Sequence, residues 1–253
     1  MNSDAQLAAE LAETAGALLL GLRARAAGSC EPKELGRRGD ADSNDYLLAR
    51  LATERPADAV LSEESADSTA RLGAQRVWII DPLDGTREFG LAGRTDWAVH
   101  VALWEAGRGI SAAAVAQPAL GAVYMSGGTT AGPGPERDRR RILVSDSRPP
   151  AFATALAESV GADLVPMGSA GAKAMAVVRG DADAYVHAGG QWEWDSAAPV
   201  GVALAAGLHA TRIDGSPLTY NAPHPYLPDL LICRPELADL LLAEINGATT
   251  PTH

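Results

Sequence analysis

Residues 76–90 read RVWIIDPLDGTREFG, and no other stretch restricts the fold as much. An apolar strand, Val77 to Ile80, runs directly into Asp81, Pro82, Leu83, Asp84, Gly85 and Thr86. A short unbroken apolar run ended by a turn signal reads as a buried strand of a layered core. Pro82 fixes φ and keeps Asp81 out of a helix, so the chain turns where the strand ends. Asp81 can then project from the sheet edge, Asp84 turns back toward it, and the Leu83 carbonyl is left pointing outward. Gly85 and Thr86 open a short helix whose free N–H groups can hold phosphate oxygens.

Oxygen-only ligands suit Mg²⁺, Ca²⁺ or Mn²⁺ and not zinc. Two aspartates and one carbonyl are too few for two ions, so further carboxylates must come from elsewhere. The candidates are Glu63 and Glu64 in LSEES, Asp40 in RRGDADSND with Asp42 as its fallback, and Asp195 in EWDSAA. Each has a plain structural reading when taken singly. Asp195 would be a helix N-cap, Glu63 a solvated loop charge, and Asp-Pro-x-Asp-Gly a turn.

Around these motifs the chain alternates. Ser3 or Asp4 caps a first helix with Leu7, Leu11, Ala15, Leu18, Leu19 and Leu22 on one face. Residues 28–39, with Gly28, Pro32, Gly36 and Gly39, read as a loop before a second helix over 43–54. Strands follow at 59–61 and 76–81, a hairpin at 96–104 and 110–116, and another strand near 121–126. Residues 127–140 have no periodicity and mark a boundary between an N-terminal α+β part, 1–127, and a C-terminal α/β part, 141–253. The second part has strands at 142–145, 183–187 and 229–233. Its helices fall near 151–160, 170–179, 195–206 and 236–245. Interleaved strands and helices make this an α/β or α+β layered fold.

The net charge of −11 argues against nucleic acid and anionic membrane as partners. It leaves room for an anionic substrate, because a bound cation inverts the local field. Cys30 and Cys233 show no metal-ligand spacing, and a reduced, cytoplasmic chain is expected. The acidic start is wrong for a secretory signal, and no apolar run is read as long enough to span a bilayer.

Taken together, SEE, WIIDPLDGT and WDSAA, in this order and spacing, resemble the inositol monophosphatase-like family of Mg²⁺-dependent, lithium-sensitive phosphomonoesterases. The resemblance covers almost the whole chain and implies an alternating αβαβα sandwich with the active site between its two parts. It implies metal ligation by Glu63, Asp81, Asp84, Asp195 and the Leu83 carbonyl. Two or three Mg²⁺ ions are expected, with Mn²⁺ as a substitute and Li⁺ and Ca²⁺ as inhibitors. Asp40, Glu63 and Thr86 would activate water, and Gly85, Thr86 and Asp195 would contact the substrate. Homodimers are usual in such families.

Within that family, SEES, DPLDGTREF and DGSPLTYN look like the CysQ-type 3′-phosphoadenosine-5′-phosphate phosphatases. GSAGAKAM resembles that branch's Gly-Ser-x-x-x-Lys segment and puts Ser169 and Lys173 against the nucleotide. Lys33 and Lys173 are the only lysines, and a compact ammonium retained among arginines suits a phosphate contact. ERDRRR at 136–141 is a basic run that could reach a second phosphate or form a solvated face. Trp97, Trp104, Trp192 and Trp194 could offer adenine a stacking face or simply pack. His100, inside an apolar strand, reads as structural. The small-molecule alternatives are inositol monophosphate, fructose 1,6-bisphosphate and histidinol phosphate. A silent metal- and phosphate-binding regulator on the same fold is the alternative from another class.

Overall fold

A computed structural model of the chain describes residues 3–26 and 30–249. Ser3, not Asp4, caps the first helix, α1 (Asp4–Ala26). Its hydroxyl accepts the Gln6 N–H at 3.2 Å, and the Gln6 side chain accepts the Ser3 N–H at 2.8 Å. Leu7, Leu11, Ala15, Leu19 and Leu22 are buried as their spacing requires, while Leu18 faces outward.

The second helix, α2 (Pro32–Glu54), departs most from the sequence reading. Residues 32–39 are helix, not loop, and Gly28 lies outside the described residues. Pro32 stands in the first turn, where its missing N–H costs nothing. A Cβ on Gly36 would lie 2.7 Å from Thr86 Cγ2, and one on Gly39 would lie 2.8 Å from Leu83 Cδ2. These glycines are places of close approach to the DPLDGT segment, not helix breakers.

The first sheet holds β1 (Ala59–Ser62), β2 (Arg76–Asp84), β3 (Ala98–Glu105), β4 (Gly109–Gln117) and β5 (Ala122–Met125) in that spatial order, with α3 (Thr86–Gly90) after β2. β1 runs parallel to β2, and the remaining pairs are antiparallel. The β2–β3 register breaks between Asp81 and Asp84, so the two motif carboxylates sit where the ladder is interrupted.

The second part contains β6 (Arg140–Ser145), α4 (Ala153–Ser159), β7 (Ala162–Met167), α5 (Ala170–Arg179), β8 (Ala184–Trp192), α6 (Glu193–Ala205), β9 (His209–Thr211), β10 (Tyr226–Cys233) and α7 (Ala238–Thr249). Its strands lie in the order β7-β6-β8-β10-β9. β7 and β9 are edge strands that the sequence reading misses. Pro166 inside β7 hides it, and an edge is where a sheet tolerates proline.

Alternation along the strands sorts the layers. Trp78, Ile80, Val99, Val101 and Leu103 pack under α1 and α2. Val77, Ile79, Ala102 and Val115 face α5, α6 and the inner face of the second sheet, with Tyr185, Leu230 and Ile232. Ile142, Val144, Val186 and Leu231 face α4 and α7. The result is an αβαβα sandwich. α1 is long and apolar enough to cross a bilayer, contrary to the sequence reading, but its buried stripe belongs to this core. Residues 127–139 have no regular structure and are tied to the α5 end by a Gly132 N–H bond to the Val178 carbonyl at 2.8 Å.

Candidate active site

α2 holds the site from one side. Ser43 Oγ donates to the Pro82 carbonyl at 2.7 Å. Asn44 accepts from Ser62 at 2.7 Å and donates to Ser65 at 3.3 Å, which fixes the turn carrying Glu63. Asp40, one helical turn earlier, is buried and lies 3.1 Å from Thr86 Oγ1, whereas Asp42 is exposed. The same Thr86 hydroxyl lies 3.1 Å from the Leu83 carbonyl. One hydroxyl proton serves one acceptor at a time, so a ligand on Leu83 O leaves Thr86 donating to Asp40.

Ligand atoms of Asp81, Asp84 and Asp195 lie within 4.8 Å of one another. Glu63 stands near Asp81 and helps to raise its carboxyl, but is not part of that three-residue group. Asp195 belongs to the first turn of α6, where it accepts the Trp192 N–H at 2.6 Å. Its capping and its place in the cluster are one geometry.

Burial, and then the Glu63, Asp84 and Asp195 charges, push the Asp81 carboxyl well above its ordinary range. Burial and Asp84 raise Asp195 to about 6. Burial and Glu64 raise Asp40 to about 7. Glu63 is pushed to about 8 by crowding from surrounding protein and by Asp195, Asp40 and Glu64, although its outer surface stays exposed. These groups repel one another and call for protons or cations.

Asp84 is the exception. Burial alone would raise it, but His100, Ser169 and Lys173 outweigh burial and hold it near 2. It accepts Ser169 Oγ at 2.5 Å and the Gly171 and Ala170 N–H groups at 2.6 and 3.1 Å. Ser169, held at φ +51°, also caps α5 by accepting the Ala172 N–H at 2.9 Å.

His100 is fully buried, with Nδ1 3.1 Å from the Trp194 carbonyl and Nε2 3.2 Å from Asp84 Oδ2. The Nε2 contact is close in distance but poorly aligned for a hydrogen bond, so it counts as an ion pair. A lone histidine in an apolar strand carries no sequence signal for this contact.

A cavity of 290 Å³ opens beside the cluster. Asp84, Thr86, Ser169, Lys173 and Asp195 line it, together with Arg148, His187 and Gln191, which the sequence reading did not single out. Lys173 is buried there and donates to the Ser169, Gly168 and Met167 carbonyls at 2.7, 3.2 and 3.3 Å. Ser169 and Lys173 therefore stand at the cavity with their donors already engaged. Asp146 bridges Arg87 at 2.5 Å and Arg94 at 3.3 Å on the rim.

The basic run stays away from this cavity. Arg137 donates to the Gly180 carbonyl at 2.7 Å and Arg139 pairs with Asp163 at 2.6 Å. Trp192 and Trp194 stack on each other at 5.2 Å, and Trp97 packs edge-on against Phe89. None of the tryptophans lines the cavity. The end of the 214–221 segment and the residue after it tie down α6: the Asn221 and Ala222 N–H groups donate to Glu193 at 2.7 and 2.8 Å.

An all-oxygen set of mutually repelling carboxylates beside a polar cavity is the chemistry of a divalent-cation site in a phosphatase. The chain belongs to the inositol monophosphatase family, whose model matches residues 2–249. It is 56% identical over 255 residues to the 3′-phosphoadenosine 5′-phosphate phosphatase of Mycobacterium leprae, covering 96% of this chain and 94% of that protein. It is 30% identical to the 3′(2′),5′-bisphosphate nucleotidase CysQ of Escherichia coli K12 over 199 residues, 74% of this chain and 80% of the relative. Among solved structures, Mycobacterium tuberculosis SuhB superposes with a TM-score of 0.71 at 25% identity, over 97% and 96% of the two chains. Inositol monophosphatase II of Staphylococcus aureus superposes with a TM-score of 0.78 at 19% identity, over 95% and 92%, which speaks for the fold alone.

Proposed function

We propose that this chain is a Mg²⁺-dependent 3′(2′),5′-bisphosphate nucleotidase, removing the 3′-phosphate of 3′-phosphoadenosine 5′-phosphate to give AMP and phosphate. The observation that carries the reading is the 56% identity, along nearly the whole chain, to a phosphatase named for that substrate. Glu63, Asp81, Asp84, Asp195 and the Leu83 carbonyl would hold two or three Mg²⁺ ions, or Mn²⁺. Such ions supply an acidified water and neutralise charge on the phosphate.

The chain's own groups do the rest. Asp40 accepts the Thr86 hydroxyl proton, which frees a Thr86 lone pair to orient the attacking water, and the Asp40 carboxylate is the proton acceptor. The Gly85 and Thr86 amides hold phosphate oxygens at the start of α3. His100, Ser169 and the α5 amides keep Asp84 ionised and fixed. The working protein is a cytoplasmic homodimer.

The test is inorganic phosphate release with Mg²⁺ from 3′-phosphoadenosine 5′-phosphate, inositol 1-phosphate and fructose 1,6-bisphosphate. A kcat/KM preference of about tenfold or more for the nucleotide, ~1.4 kcal/mol in transition-state binding, supports the reading. Equal or inverted values remove the nucleotide from it and leave the phosphatase.

A further inference from the structure

None of the residues of DGSPLTYN, 214–221, lines the catalytic cavity, yet the end of this segment holds the first turn of α6 on both sides of Asp195. The Asn221 and Ala222 N–H groups donate to the two carboxylate oxygens of Glu193, at 2.7 and 2.8 Å. The Tyr220 hydroxyl donates to Ser196 Oγ at 3.3 Å. Glu193 and Ser196 are both buried, so water does not replace these partners.

The same segment holds Arg71 on its other side. Arg71 stands in a single 3-10 turn, Thr69–Gly73, between the turn that carries Glu63 and strand β2. It is 1% exposed. Its guanidinium donates to the two oxygens of Asp67 at 2.7 and 2.9 Å, to Asn221 Oδ1 at 2.6 Å and to the Ala222 carbonyl at 2.9 Å. Arginine is mostly a surface residue, and burying one is tolerated when its fork is paired and hydrogen-bonded in this way. Asn221 is the joint between the two sides. Its side chain meets Arg71, its backbone N–H meets Glu193, and its backbone is left-handed at φ +63°. Asparagine enters that conformation more readily than most residues with a side chain.

We propose that Arg71, acting through Asn221 and Glu193, is a positioning residue for the acidic cluster. It fixes the start of α6, and with it Asp195, against the turn that carries Glu63. The proposal rests on the divalent-cation reading of that cluster. Groups behind a set of ligands decide how tightly an ion is held, because they keep the ligands in place before it arrives. Arg71, Asn221 and Glu193 all lie outside the catalytic cavity. The brace therefore acts on ion affinity and not on contact with the phosphate ester.

Calorimetric titration of Mg²⁺ into the substrate-free protein tests this on three variants, with Tm measured in EDTA alongside. Arg71→Met removes the fork. Asn221→Gly keeps the left-handed backbone and the N–H bonds to Glu193 but cuts the side-chain link to Arg71. Leu241→Ala, in the core under α7, is a control that lowers Tm without touching the brace. Arg71→Met and Asn221→Gly should each weaken Mg²⁺ binding roughly tenfold or more, and raise the Mg²⁺ needed for half-maximal phosphate release by the same factor. Their KM for the phosphate ester at saturating Mg²⁺ should move less than about twofold. Leu241→Ala should leave Mg²⁺ affinity within about twofold. If Arg71→Met does not fold, Asn221→Gly decides alone. Unchanged Mg²⁺ affinity in Asn221→Gly overturns the assignment, and so does an equal loss in Leu241→Ala. A wild-type protein that takes up neither Mg²⁺ nor Mn²⁺ removes the cation reading and this assignment with it, a failure seen before any variant is made.

Discussion

Divalent cations should stabilise this protein far more at pH 8.5 than at pH 5.5. Asp40, Glu63 and Asp195 are raised to about 7, 8 and 6 in the folded chain. A carboxyl raised on folding contributes stability that is fully present below its unfolded value, near 4, and is lost as pH rises through the folded value. The metal-free protein should therefore weaken progressively between about pH 4 and pH 8. Each pKa unit is worth ~1.4 kcal/mol, so Asp40 and Asp195 together place an upper bound of several kcal/mol on the strain. Asp195 is partly exposed, so solvent screening reduces this to ~3 kcal/mol, and the exposed Glu63 is left out of the sum. For a chain of this size that is a Tm difference of roughly 6–12 °C between Mg²⁺ and chelator at pH 8.5. At pH 5.5 the protons already relieve the repulsion and must be expelled by the ion, so the difference should shrink to about 3 °C or less. Differential scanning calorimetry with saturating Mg²⁺ or EDTA at both pH values measures it. A shift of equal size at the two pH values, or none at either, would refute the view that mutual repulsion of these carboxylates makes the site.

Other perturbations isolate single contacts. Asp84→Asn should reduce turnover by roughly 100-fold or more. It should still fold, with a lowered Tm, because an amide NH₂ would face the donors Ser169, Ala170 and Gly171; near-wild-type Mg²⁺-dependent activity would overturn its place in the cluster. Thr86→Val keeps the shape and removes the hydroxyl bonded to Asp40, so kcat should fall by about 10²–10⁴; a rate effect confined to KM would contradict the water-orienting role. Gly36→Ala pushes a methyl to 2.7 Å from Thr86 Cγ2. It should cost ~1–3 kcal/mol in denaturant unfolding and lower kcat as well, whereas an exposed helical glycine would gain from the change.

What could be read from the amino-acid order, and what could not, divides along physical lines. The motif carboxylates were visible because DPLDGT and WDSAA are contiguous and their chemistry is local. Glu63 followed from the same logic. The first half of α2 was hidden because Gly36 and Gly39 look like breakers when seen alone. Only the approach of Thr86, Leu83 and Phe89 shows that a side chain there would collide. His100 was illegible for a related reason. Its partners lie on α6 and β2, and a single histidine states nothing about what stands opposite. β7 was lost to Pro166, which is acceptable because that strand is an edge.

Asp84 belongs to the first sheet, and the donors that grip it belong to the start of α5, over the second. The two halves are thus fastened at a carboxylate of the acidic cluster. Spreading them like a pair of jaws to discharge product would tear that carboxylate from its donors and break up the cluster. Turnover with the frame shut would send the products out by the open mouth of the groove, past the arginines on its rim.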